Sequence, residues 1–393
     1  MTTTTPTLPF ERPDSMAPPP AYARLRDATP VAEVFARDGR RAWLVTSFDA
    51  VSAVLGDRRF GIMPPGESVP GNDSLFQDGE AHARLRRLVS KAFSARKIAE
   101  MGPRIERLAD EQITVLTETG PPADLVDGFA APLSIMVIGE LLGVSIEDRP
   151  RFRRLAEAAG SVDFFFGAEE DVAVAAQAWQ GLGEYAAELI AAKRQAPADD
   201  LLGTLIEVRD AEDGRLTDTE LIALVGTIVN GGYLSACNAV AVGVLRLLSE
   251  GKPADLAGAD SEQADAIVAE VLRMQAGMTG EPFPRYAHEE VEVAGVSIAK
   301  GDLVLVRLEA AHRDPARFTD PDRFAPGRPG PSLVFGHGLH YCLGANLARM
   351  EVVAALRALA RHLPGLRLQV PVDAIEWTHD AFDIGPKALP VTW

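Results

Sequence analysis

Phe335-Gly336-His337-Gly338-Leu339-His340-Tyr341-Cys342-Leu343-Gly344 is the stretch around which the chain is organised. It reads as a glycine-punctuated loop that delivers a cysteine to the start of a helix. From Leu343 onward, Leu343, Leu347, Met350, Val353 or Ala354, and Leu356 keep the spacing of one apolar helical face. A cysteine at a helix N-terminus meets unsatisfied N–H groups and the positive end of the helix dipole. Both favour the thiolate, which is the form that binds metals. Gly336, Gly338 and Gly344 let the backbone approach something bulky and flat where a side chain would collide. The plainer alternative is a structural cysteine in the core beside a flexible turn.

Composition narrows the setting. The chain has 393 residues and a net charge of −17, which argues against nucleic-acid binding and favours solubility. Its two cysteines, Cys237 and Cys342, do not make a secreted disulfide scaffold. The Thr/Pro-rich start, Met1 to Pro20, lacks the cationic and apolar parts of a signal sequence. Residues 1–12 are therefore expected to be a disordered leader, and the protein cytoplasmic. The length exceeds the usual domain, yet no linker, repeat or charge block divides it, so residues 13–393 read as one large, mostly helical domain. Leu221 to Leu245 carries no charge and is long enough to cross a bilayer. Asn230, Gly231, Gly232, Tyr233, Ser235 and Asn238 interrupt it and no basic cluster flanks it, so a buried central helix and no membrane is the reading.

Smaller patterns fill in the rest. Val31–Ala36 and Arg41–Thr46 alternate like strands around Asp38-Gly39, a hairpin signal, and Thr46 or Ser47 caps a following helix. Gly61 to Gln77 is a long loop without periodicity. In the helix after it, His82 and Arg86 stand four apart on one face. They form either a clamp for a pair of carboxylates or a solvated basic face. Arg84, Arg87, Lys91, Arg96 and Lys97 add a basic cluster in an acidic chain. Helical periodicity marks Pro103–Leu116, Pro132–Leu142, Arg151–Ala158 and Ala264–Met274, and in the last of these Glu270 and Arg273 can pair. Val291–Ile298 and Leu303–Val306 read as strands joined at Lys300-Gly301. Thr217-Asp-Thr-Glu220 is a capping box, with Leu216 and Leu221 as its staple, opening the uncharged helix.

With every consensus position filled, Phe335-Gly-x-Gly-x-His340-x-Cys342-x-Gly344 resembles the haem-binding signature of the cytochrome P450 family. The likeness runs from about Pro13 to the C-terminus. It implies a mainly α fold with small β elements and haem b (iron protoporphyrin IX) as cofactor. Cys342 would then be the axial thiolate on iron, held in the loop of Phe335, Gly336, His340 and Gly344. The resemblance assigns His82 and Arg86, and separately Arg285 of Pro284-Arg285, to the haem propionates. It assigns Glu270, Arg273 and Arg323 to a buried structural ion network, and Gly61–Gln77, Phe164–Phe166, Gly277–Phe283 and Ala381–Gly385 to the surroundings of the substrate. His312 stands where asparagine is more usual. Ferredoxin and ferredoxin reductase are the implied electron donors, and the basic cluster is either a docking patch for such an acidic donor or a solvated face.

One helix departs from the family pattern. Gly231, Gly232, Tyr233, Leu234 and Ser235 align with a small residue, a glycine, any residue, an acid and a threonine. The glycines survive to open a groove for dioxygen, but the acid is Leu234 and the alcohol is Ser235. Acid and alcohol ordinarily relay protons through a hydrogen-bonded chain, and leucine relays none. Gly231, Gly232 and Ser235 are thus the expected catalytic positions. The leading expectation is a monooxygenase that oxidises a small organic substrate, the composition and the family's habits suggesting secondary metabolism, with the substrate free or presented by a carrier protein. Oxidative coupling, ring closure or rearrangement is the second reading, and a non-catalytic haem protein the third.

Overall fold

The computed structural model describes residues 5–67, 74–160, 169–210, 216–251, 253–278, 283–378 and 383–393. Backbone contacts group the chain into two compact units, Met1–Pro70 with Ala269–Cys342, and Gly71–Val268 with Leu343–Trp393. The stretch Phe164–Phe166 and parts of the three other substrate-side segments (68–73, 279–282 and 381–382) lie outside the described residues.

The first unit is built on a five-stranded mixed sheet. Val31–Phe35 and Arg41–Val45 pair antiparallel across a turn in which Gly39 has φ +80°, the left-handed conformation that a tight hairpin demands. Leu303–Val306 runs parallel to Arg41–Val45, and Arg285–Ala287 and Phe60–Gly61 complete the sheet antiparallel. Helix Phe48–Gly56 starts at Ser47, whose hydroxyl accepts from Ala50 N at 3.3 Å. Its buried face (Phe48, Val51, Val54, Leu55) packs with Val45, Val304 and Val306 into one apolar core. Each such side chain contributes about 1.5–3 kcal/mol by leaving water.

Two expectations change here. Val291–Ile298 is not one strand but a hairpin, Val291–Val293 against Val296–Ile298. Ala294 (φ +49°) and Gly295 (φ +81°) make its two-residue turn. An alanine in the left-handed region is what hid the turn, since Asn-Gly or Asp-Gly normally announces it. The stretch expected to be a disordered leader is also partly packed. Phe35 N donates to Pro6 O at 2.8 Å, Leu8 N donates to Phe35 O at 2.9 Å, and Leu8 is buried. Arg12 then pairs with Glu309 at 2.6 Å.

The second unit is helical around Asp218–Ser249. Thr217 Oγ1 accepts from Glu220 N at 3.1 Å, and Glu220 returns the bond by accepting from Thr217 N at 2.8 Å. This helix is long and apolar enough to cross a membrane, but 67% of its apolar stretch lies inside the protein, as a central core helix requires. Ala131–Leu142, Arg149–Gly160, Glu169–Gln195 and Ala345–His362 pack around it. Gly79–Ala92 and Gly102–Thr119 add to this bundle, and Ala123–Asp124, Pro390–Thr392 and Arg367–Leu368 form a small sheet.

Candidate functional site

The cysteine loop is a folded scaffold. Gly336 N donates to Leu333 O (2.8 Å), Tyr341 N to Gly338 O (3.2 Å) and Cys342 N to Phe335 O (2.9 Å). Gly336 and Gly338 both have φ +75°, so only glycine fits them without strain. Their surroundings differ. A Cβ on Gly338 would lie 2.3 Å from Leu55 O, so this glycine lets the loop press on helix Phe48–Gly56 rather than on a cofactor. A Cβ on Gly336 would meet nothing nearer than His340 O at 3.9 Å, and one on Gly344 nothing within 4 Å. Those two positions leave the open, side-chain-free surface that a flat cofactor requires. Cys342 is exposed, whereas Cys237 is buried and its thiol pushed up to about 12 by burial, which makes it inert. The helix that follows begins at Ala345 with Gly344 as its cap, two residues later than the apolar spacing suggested.

Behind the loop lies a buried charge network. Arg273 donates to both oxygens of Glu270, at 2.8 and 2.9 Å, and also to the carbonyls of His312 and Pro321. The third arm is Arg328, not Arg323. Arg328 Nε reaches Glu270 at 3.0 Å, while Arg323 is exposed and offers only its carbonyl to Arg328 at 2.8 Å. The bend after Asp320 (φ +47°) accompanies this exchange of arginines. Burial pushes Glu270 up, but hydrogen bonds from Arg273, Ala325 N and Arg328 outweigh it and hold the carboxylate below its usual range.

Sequence reasoning assigned no role to His312, yet it braces the loop. Its Nδ1–H donates to Leu308 O at 2.9 Å, and Nε2 accepts from Leu333 N at 3.1 Å. Burial lowers it to about 4, so the ring stays neutral and can accept. Arg285 is also buried, on its strand, and donates to Phe283 O at 2.6 Å.

In the second unit, His82 is buried on helix Gly79–Ala92 with Nδ1 bonded to Leu75 O at 3.0 Å, and Arg86 follows one turn later, half-buried. The basic cluster is smaller than its sequence. Arg84 is paired with Glu220, and Lys97 donates to Thr204 at 2.8 Å, which leaves Arg87, Lys91 and Arg96 as its exposed members. Arg96 itself pairs with Glu100 at 3.3 Å.

Comparison with known proteins decides the family. The cytochrome P450 family model matches residues 262–370. Nocardicin C N-oxygenase of Nocardia uniformis subsp. tsuyamanensis is 37% identical over 100% of this chain and 99% of its own. The chain belongs to the cytochrome P450 family. Mycinamicin IV hydroxylase/epoxidase of Micromonospora griseorubida is 40% identical over 95% of this chain and 94% of its own. The crystal structure of the LnmA cytochrome P450 hydroxylase of Streptomyces atroolivaceus superimposes with a TM-score of 0.88 at 38% identity, covering 99% of this chain and 100% of that one. The fold is that of a cytochrome P450, the enzyme class is monooxygenase, and the cofactor is haem b.

Set against other P450s, the central helix separates its three expected catalytic positions. Gly231 is exposed, and a Cβ there would meet nothing within 4 Å. Gly232 instead backs onto Ile138, where a Cβ would come within 2.5 Å; its role is helix packing. Ser235 Oγ donates to Gly231 O at 2.8 Å, one turn back along the same helix. Leu234 is committed to packing as well. A Cβ on Gly160, at the end of helix Arg149–Gly160, would lie 2.4 Å from Leu234 Cδ1. The position that holds an acid in other P450s is here the apolar half of a helix–helix contact. Tyr233, buried beside it, donates to Glu157 at 2.8 Å.

One further buried acid was not visible in the sequence. Glu351, on the helix that follows the cysteine, is pushed up to about 7 by burial and accepts from Ser134 Oγ at 2.6 Å.

Proposed function

We propose that residues 13–393 work as one haem-thiolate domain that inserts oxygen into a small organic substrate of secondary metabolism. The observation that carries this reading is the cysteine loop: an exposed Cys342 on a rigid, hydrogen-bonded scaffold, with open glycine positions at 336 and 344. Cys342 would be the axial ligand, with Phe335, Gly336, His340 and Gly344 forming its cradle. The cations of Arg86 and Arg285 would suit the carboxylates of the propionates, and His82, whose Nδ1–H is held by Leu75 O, would add a donor at Nε2 only in its protonated form. When bound, haem supplies activation of dioxygen, tuned by its thiolate ligand. Glu270, Arg273 and Arg328 hold the backbone from which the loop springs.

Ser235 keeps its proton directed at Gly231 O and retains two lone pairs, so it can receive a proton from water or a substrate hydroxyl and pass one on. Leu234 can do neither. Electrons would come from a ferredoxin and its reductase, steered to the exposed Arg87, Lys91 and Arg96 by charge. The protein would work in the cytoplasm, independent of membrane and nucleic acid, on a substrate that is free or tethered to a carrier protein. The packing of Leu234 on Gly160, which leaves no acid at that position, favours a second reading, in which the product forms by coupling or ring closure without oxygen insertion.

Isotopically labelled dioxygen separates the two. Compounds that shift the Soret band of the ferric protein serve as substrates, with reduced ferredoxin as donor. Insertion predicts one labelled oxygen per product molecule; an unlabelled, coupled or cyclised product overturns it in favour of the second reading.

A further inference from the structure

Tyr233 stands between Gly232 and Leu234 on the central helix, at the position that the family pattern leaves open to any residue. Its side chain is 1% exposed, and its hydroxyl donates to Glu157 Oε1, on helix Arg149–Gly160, at 2.8 Å. Arg153 Nε donates to the same oxygen at 2.8 Å, and the Arg153 guanidinium also pairs with Asp127. The buried phenol is thus the inner end of a hydrogen-bonded chain that reaches the surface. The side chain of Glu157 is 42% exposed, and that of Asp127 72%.

Burial above all, and then Cys237 and Glu157, push the Tyr233 phenol above its ordinary range, so it does not ionise by itself. Loss of an electron reverses that preference. An oxidised phenol is a strong acid, and a carboxylate at hydrogen-bond distance takes its proton in the same step. Other buried tyrosines are set against cations instead. Tyr22 and Tyr286 accept from Arg307 and Arg40, each at 3.1 Å, and Tyr185 lies under the Arg151 guanidinium, 5.0 Å from its ring centroid. A cation beside a phenol opposes removal of an electron, whereas an anion favours it.

We propose that Tyr233 is a redox-active tyrosine that returns an electron to the haem when a peroxide has oxidised it without substrate, a protective peroxidase-type activity distinct from oxygen insertion. The inference rests on the haem-thiolate reading and adds a second activity to it. A peroxide draws two electrons from the haem as its O–O bond breaks. Tyr233 returns one of them: its O–H bond breaks, the electron passes to the haem, the proton passes to the Glu157 carboxylate, and a neutral phenoxyl radical remains. The next electron from the reduced donor protein, together with the proton held by Glu157, restores the phenol. Glu157 exchanges protons with water at its exposed side, so the cycle leaves no charge buried.

The test uses the full haem-loaded protein without substrate, mixed with peracetic acid, frozen within milliseconds and read by electron paramagnetic resonance. The wild type is expected to give a tyrosyl signal that narrows when the protein is made with ring-deuterated tyrosine. Tyr233→Phe is expected to lose that signal. Glu157→Gln keeps an acceptor for the hydroxyl but cannot take its proton, and should lower the radical yield about 10-fold or more. Both variants should also lose their haem absorbance faster than the wild type under hydrogen peroxide. No tyrosyl signal in the wild type overturns the proposal. So does an undiminished signal in Tyr233→Phe, which would assign the radical to another tyrosine such as the exposed Tyr341. A wild-type radical yield in Glu157→Gln, or equal bleaching of all three proteins, overturns it as well. The red-shifted Soret band of the reduced protein with CO, recorded on each sample, shows that a thiolate-bound haem is in place. A missing radical then counts against Tyr233, and a missing band against the haem-thiolate reading.

Discussion

Glu270→Gln is expected to destabilise the protein by about 3–5 kcal/mol, the cost of leaving buried cations without their counter-charge. Glu270 has a side chain only 2% exposed, and it accepts from Arg273, Arg328 and the backbone of Ala325 at once. Glutamine keeps the shape but offers one acceptor and no charge, so two guanidinium groups lose their anion. The pH dependence follows from the depressed carboxylate. A group whose folded value lies below its unfolded one gives stability that is full above the ordinary carboxylate range and is lost as pH falls through the folded value. Denaturant unfolding at neutral pH should therefore separate wild type and variant widely, and the gap should narrow on acidification. Coincident unfolding midpoints at pH 7 would show that the network contributes nothing to stability.

Ser235→Ala is expected to lower product formation by about 10²-fold or more while haem uptake and fold persist. With leucine at 234 packed on Gly160, the Ser235 hydroxyl is the one alcohol or acid left among Gly231, Gly232, Tyr233, Leu234 and Ser235 to pass a proton, the Tyr233 phenol being spent on Glu157. Removing it also breaks the back-bond to the Gly231 carbonyl, so the loss combines proton delivery with a local change in the helix. Ser235→Thr keeps the hydroxyl and should recover most of the activity, which a merely structural role for the serine would not require. Full turnover by the alanine variant would mean that the proton is held elsewhere.

The parts of this molecule that were legible in the sequence are those written in short-range signals. The cysteine loop, the Glu270–Arg273 pair, the Thr217–Glu220 capping box and the Asp38-Gly39 hairpin each lie within a few residues, where spacing alone fixes geometry. Arg328 was hidden because Arg323 lies a few residues away with the same chemistry, and only the bend after Asp320 decides which guanidinium turns inward. The Ala294-Gly295 turn was hidden by an alanine in a conformation it rarely adopts. Contacts between distant segments were not legible at all. Leu234 reads as a lost acid in the sequence, and as a packed side chain only once Gly160 is seen against it. Gly338 reads as cofactor clearance until Leu55 O is found beneath it. His312 shows the same limit: its Nε2 meets Leu333 N and Ser332 Oγ, some twenty residues on, a proximity no local pattern records.

The central claim is that Cys342 is the thiolate ligand of a haem-thiolate enzyme, and the absorption spectrum of the reduced protein with CO tests it most directly. The wild type is expected to show the red-shifted Soret band that a thiolate-ligated haem gives, and Cys342→Ala to lack it while Cys237→Ala retains it. A band that survives in Cys342→Ala, or that is missing from the haem-loaded wild type, would contradict the assignment of Cys342.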